Sequence, residues 1–109
     1  MTLLDYHILL GLADEARYGY ALKEAVAADS GGALTPPAGS LYRAVGRLMT
    51  EGLVVEAAPP SDAQPHPGLA RRYYALTPAG RRALSAEAAR LKQTAHLAER
   101  RLGMVDGRP

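Results

Sequence analysis

Pro36-Pro37-Ala38-Gly39-Ser40-Leu41-Tyr42-Arg43-Ala44-Val45-Gly46-Arg47-Leu48-Met49-Thr50-Glu51-Gly52 is the stretch that decides the reading of this 109-residue chain. Leu41, Val45, Leu48 and Met49 fall at i, i+4, i+7 and i+8, one apolar stripe at helical period. Ser40, Arg43, Ala44 and Arg47 are expected on the other side, which is cationic and lightly built. Pro36 and Pro37 exclude helix before the stretch, and Gly52 can supply the left-handed residue that ends it. A helix anchored on one face and carrying arginines on the other suits the DNA major groove, where arginine donates to guanine or to phosphate. A surface helix with solvated arginines is the plain alternative, and the segments around this helix bear on the choice.

Before it, residues 2–13 read as a helix. Leu4, Ile8 and Leu12 repeat every fourth residue, with Leu9 widening the stripe, Thr2 as cap and Asp5 in the first turn. His7 has no second ligand at helical spacing and reads as a structural or surface histidine. Asp14-Glu15-Ala16-Arg17 is a polar connector to a second helix, from about Tyr18 to Asp29, with Leu22 and Val26 inward. Gly19 permits close approach of another backbone, and Tyr18 and Tyr20 are expected in the core with their hydroxyls at the rim. Ser30-Gly31-Gly32-Ala33-Leu34-Thr35-Pro36-Pro37 is a turn into the arginine-bearing helix. Two helices so joined follow the helix-turn-helix plan, in a variant looser than the tight form.

After it, Leu53-Val54-Val55-Glu56-Ala57 and Arg71-Arg72-Tyr73-Tyr74-Ala75-Leu76 read as strands. Pro59, Pro60, Pro65 and Pro67 make the segment between them a long loop. The strands can pair as a hairpin, and a hairpin straight after a recognition helix is a wing. Arg71 and Arg72 at its tip can meet phosphates or the minor groove. Thr77-Pro78 then starts a helix of roughly 25 residues ending at Gly103. Leu84, Ala88, Leu91, Ala95, Ala98 and Leu102 alternate steps of four and three along it, a heptad seam for a second copy of the chain.

Composition bounds the rest. Phe, Trp and Cys are absent, so the core must come from Leu, Val, Ile, Met and some of the six Tyr, without disulfides or thiolate chemistry. A core that small invites a partner subunit. Residues 1–30 hold five acids against Arg17 and Lys23, whereas residues 36–82 hold six arginines against Glu51, Glu56 and Asp62. A basic middle suits a polyanion. No signal peptide or membrane span is apparent, and a cytoplasmic location is expected. Three scattered histidines and no glycine-rich phosphate loop give no metal, cofactor or catalytic site, so no enzyme is expected.

The expected architecture is mainly α with a small β-hairpin: a winged helix-turn-helix over residues 1–77, a dimerisation helix over 78–102 and a flexible tail over 103–109. Three stretches carry a family resemblance. They are Ile8-Leu9-Leu10-Gly11-Leu12 with Tyr18-Gly19-Tyr20; Gly39-Ser40-Leu41-Tyr42-Arg43-Ala44 with Arg47-Leu48 and Glu51-Gly52-Leu53; and Arg72-Tyr73-Tyr74-Ala75-Leu76-Thr77-Pro78-Ala79-Gly80-Arg81-Arg82-Ala83-Leu84. In that order they resemble the PadR family of bacterial transcriptional regulators, in its short branch with one C-terminal helix. The resemblance implies a homodimer that binds double-stranded operator DNA, usually as a repressor. Some relatives release DNA when a small aromatic or drug-like effector binds at the dimer interface; they stack it on tryptophan, which this chain lacks. The expected DNA contacts are Ser40, Tyr42, Arg43 and Arg47 on the helix and Arg71 and Arg72 on the wing. The rival function is a winged-helix adaptor that binds protein and not DNA.

Overall fold

The structure, a computed structural model, describes residues 1–61 and 72–104. Its elements run α1 (Leu3–Gly11), β1 (Arg17–Tyr18), α2 (Gly19–Asp29), α3 (Ala38–Thr50), β2 (Val54–Ala57), β3 (Tyr73–Leu76) and α4 (Pro78–Arg101). Helix α1 starts as its sequence suggests. Thr2 accepts from the Asp5 amide while Asp5 accepts from the Thr2 amide, so two otherwise unpaired donors are satisfied at once. Ile8, Leu9 and Leu12 of the first helical segment, Leu22 and Val26 of α2, and Leu41, Val45 and Leu48 of α3 are all buried together.

Ala44 belongs with them. It was expected beside the arginines, yet it is buried in the same cluster. Leu41, Ala44, Val45 and Leu48 are the i, i+3, i+4, i+7 set that faces inward, and Met49 sits at its edge. A methyl side chain carries too little hydrophobicity to mark its face in the sequence.

Helix α3 ends as predicted. Gly52 takes φ +76°, its amide donates to Met49, and the Leu53 amide reaches back to Leu48. The chain is thereby turned into β2. Strands β2 and β3 pair antiparallel, with Val54 opposite Leu76 and Ala57 opposite Tyr73. The hairpin is therefore present; most of its connecting loop, with Arg71 and His66, lies outside the described residues.

The polar connector before α2 contains a third strand. Arg17 and Tyr18 pair with Tyr74 and Tyr73, giving a sheet in the order β1-β3-β2. Arg17 also donates to the Gly11 carbonyl at the end of α1, at 2.7 Å. Tyr18 lies edge-on to Tyr73 with ring centroids 5.7 Å apart. Tyr20, expected in the core, is instead 61% exposed. It sits at the second position of α2, one residue past the helix start, so helical geometry turns it away from the Leu22–Val26 side.

Thr77 caps α4 by accepting from the Gly80 amide, and its hydroxyl donates to the Gly52 carbonyl at 2.6 Å. The Thr77 amide donates to the Leu53 carbonyl. At Gly80 the backbone of α4 lies directly against that same Leu53 carbonyl, where any Cβ would collide. Ala83 and Leu84 pack on the core, so the first turns of α4 belong to the same packed unit as the sheet. Leu84, expected in an intermolecular seam, is thus partly covered by its own chain. From Lys92 to Arg101 every residue of α4 is exposed, and the molecule measures 58 × 27 × 26 Å.

Gly80→Ala should destabilise the fold by about 3 kcal/mol, the upper end for overpacking, because the obstacle is backbone. Urea unfolding midpoints of the two proteins measure this; equal midpoints would mean that the Leu53–Gly80 contact is not tight.

Candidate nucleic-acid interface

Helix α3 supplies the side chains expected to meet DNA, and the structure sorts them into two ends. At the N-terminal end, Pro37 provides no side-chain cap. The first-turn amides of a helix have no intrahelical acceptor, and the helix dipole makes that end positive. Ser40 and Arg43 stand over it. Arg43 donates to the Ser40 hydroxyl at 3.3 Å, and its guanidinium lies close to Gly39. Arg43 is exposed, and Ser40 is half-buried. Amides, hydroxyl and guanidinium therefore present donors to solvent side by side.

Tyr42 follows on the same outward side and is 49% exposed. Its ring tip packs against Gly19 at the start of α2, in space that a Cβ on residue 19 would fill. Gly19 was expected to admit a backbone; it admits a tyrosine ring. Tyr74 of β3 lies near enough to respond to the same side chain. Burial pushes the Tyr74 hydroxyl pKa up, and Tyr42 and Glu56 add to the rise while Arg72 opposes it. Arg72 is exposed beside the sheet. Tyr42 thus touches α2 and interacts with Tyr74 of the wing, while Arg43, next to it in sequence, stays exposed. Arg71 lies outside the described residues.

The C-terminal end of α3 differs. Arg47 donates from both terminal nitrogens to the Asp5 carboxylate, at 3.0 and 2.6 Å. Glu51, one turn further on, is 3.9 Å from the same guanidinium. Asp5 is only 3% exposed, and the Thr2 amide holds a third hydrogen bond to it. Burial alone would raise the Asp5 pKa. The hydrogen bonds from Arg47 and Thr2, with the Arg47 charge, outweigh it and hold the carboxyl below its ordinary value. Asp5 was visible in the sequence only as a first-turn acid; its partner is 42 residues away, and no local spacing rule joins the two.

The sequence matches the Transcriptional regulator PadR-like family over residues 8–86. The chain belongs to that family. Its members are transcription regulators and not enzymes. Among solved structures, the chain is similar to a PadR family transcription regulator from Clostridium difficile, with 20% identity, 93% of this chain and 99% of that one covered, and a TM-score of 0.75. A PadR-like transcriptional regulator from Bacillus cereus is 23% identical over 92% of this chain and 91% of that one, also with a TM-score of 0.75. Bacillus subtilis PadR, solved in complex with operator DNA, is 22% identical over 81% of this chain and 48% of that one, with a TM-score of 0.67. These likenesses establish the winged-helix fold, with β2 and β3 as the wing. No curated protein matches the sequence. Among the described residues no helix is long and apolar enough to cross a membrane, and no group of His, Cys, Asp or Glu could hold a metal ion.

Because the folded-state pKa of Asp5 is depressed, its stabilisation is present above the ordinary carboxylate range and disappears as pH falls through the folded value. Wild-type urea midpoints should therefore drop as pH falls below about 5. Asp5→Asn should begin lower at pH 7 and lose less over the same interval. Parallel midpoint curves would show that Asp5 is not held charged by Arg47.

Proposed function

We propose that the chain is a DNA-binding transcriptional regulator that acts as a homodimer, as a repressor on an inverted-repeat operator. The observation that supports DNA binding best is the N-terminal end of α3. An uncapped helix start, Ser40 and the exposed Arg43 guanidinium lie together on a helix whose opposite face is fixed in the core. That arrangement donates to phosphate and can reach base edges. Tyr42 is assigned to the rim of the same surface, and Arg72, with Arg71, to the backbone or minor groove at the wing. The operator complex of Bacillus subtilis PadR is consistent with this use of the fold.

Dimerisation is assigned to α4. Its outer half leaves the core, and Leu97, Leu102 and Met104 are exposed there. An isolated helical extension gains little from its own hydrogen bonds, so a partner surface is needed to hold it. Ala88, Leu91, Ala95, Ala98 and Leu102 would form the seam, with Leu84 divided between the seam and its own core. The small alanines allow close approach of two such helices. An effector that released DNA would have to be held at this interface without tryptophan.

Selection from a random-sequence duplex pool tests the reading. The expected product is an inverted repeat with half-site centres about 34–36 Å apart, one DNA turn. Sedimentation should give a dimer, and Arg43→Ala should weaken binding by about 1–3 kcal/mol. Failure to enrich any sequence, with no salt-dependent duplex binding, would favour the protein-binding adaptor.

A further inference from the structure

The C-terminal half of α3 carries a cation that is already matched. Arg47 is half-exposed, yet both of its terminal nitrogens donate to one carboxylate, and a second carboxylate lies beside them. Asp5 and Glu51 outnumber the arginine, so this end of the helix offers no net positive charge to a phosphate. The Asp5 carboxylate is buried and takes its hydrogen bonds from Thr2 and Arg47. If Arg47 turned outward, Asp5 would keep its charge in a buried position with a single backbone donor. A buried carboxylate without its cation is costly, so the geometry opposes release. The two-pronged pair also fixes direction as well as distance, because a planar guanidinium can meet a carboxylate in this way only with both groups nearly coplanar.

The pair spans two elements that are otherwise joined by apolar contact. Ile8 and Leu9 of α1 meet Leu41, Val45 and Leu48 of α3 in one core cluster, which resists separation and gross rotation but supplies no directional bond between the two helices. The Asp5–Arg47 pair is the cross-helix polar tie between α1 and α3 among the described residues. It lies about two turns from Ser40, at the opposite end of α3 from the donors assigned to DNA. A tie at one end of a short helix sets the angle at which the other end leaves the core.

Resting on the DNA-binding reading above, we propose that Asp5 and Arg47 are positioning residues for the recognition helix: Arg47 acts through Asp5 to aim Ser40 and Arg43, and does not itself contact DNA. Arg47 thereby leaves the set of DNA contacts that its sequence position suggests, and Asp5, on a helix that carries no DNA contact, joins the determinants of affinity.

Binding of a duplex selected by the wild-type protein from a random pool, measured over a range of salt concentrations, tests this. The variants are Asp5→Asn, Arg47→Gln and the double replacement, at a temperature where circular dichroism shows all of them folded. The expected result is that each single variant binds about three- to thirtyfold more weakly, with the wild-type salt slope. The double variant should be no weaker than the worse single one. A loss of about 0.9 in the slope for Arg47→Gln would show one phosphate contact and overturn the proposal. So would tighter binding with a steeper slope for Asp5→Asn, because the carboxylate would then be a mask and not a tie. Wild-type affinity in both single variants, despite lowered unfolding midpoints, would also overturn it. Should either neutral variant fail to fold, Arg47→Lys serves: it keeps the charge but loses the two-pronged geometry, so weaker binding at unchanged slope supports the proposal and wild-type affinity overturns it. Absence of any salt-dependent binding by the wild type would instead remove the DNA-binding reading, and this proposal with it.

Discussion

Burial of the Leu41–Ala44–Val45–Leu48 stripe is the constraint on which the rest of the molecule depends. Fully burying a leucine or valine is favourable by about 1.5–3 kcal/mol, so Leu41, Val45 and Leu48 together rival the whole net stability of a typical small domain. The helix cannot rotate about its axis without exposing one of them. Once that face is set, helical geometry assigns the outward side to Tyr42, Arg43, Gly46 and Arg47 without further instruction. The surface proposed to meet DNA is therefore a by-product of the core.

The ends of the helix then acquire different chemistry from different neighbours. At the start, Pro37 leaves the first turn without a side-chain cap and Arg43 folds back over it, so positive potential accumulates. At the finish, Asp5 and Glu51 surround Arg47 and cancel it. Counting arginines along the sequence treats the two residues alike. The closer of the two carboxylates around Arg47 is delivered from α1, and that delivery depends on where α1 packs.

Most of the elements were legible because their signals are local. Thr2 with Asp5, Thr77 with Pro78, and Gly52 are start and stop residues whose effect spans four or five positions, and each acts in the structure as its chemistry suggests. The wing was legible for a similar reason: two β-rich runs flank a proline-rich gap. Three features were hidden. Strand β1 has two residues, too few for any alternation, and is defined by its pairing with Tyr73 and Tyr74 on the edge of β3 that β2 leaves free. Ala44 lacks the bulk to declare its face. The Asp5–Arg47 pair joins positions 42 apart and follows from tertiary packing alone. Tyr20 failed in the opposite direction: an aromatic residue suggested burial, but its place beside the start of α2 left it outside.

The junction at Leu53 links these local features to the long helix. One carbonyl accepts from Thr77 and lies against Gly80, while Thr77 also binds the Gly52 carbonyl. The end of α3, the entry to the first strand of the wing and the start of α4 thus meet through a few backbone atoms and one short side chain, the Thr77 hydroxyl. Helix α1 packs against α3 and α4 alike, so it completes a closed frame around the same core. A helix projecting from so stiff a base turns the direction of α4 into the direction of α3. In a two-fold dimer built on α4, the separation and tilt of the two recognition helices would then be set at this junction, leaving little freedom for the linker-like adjustment that a separate dimerisation domain would allow.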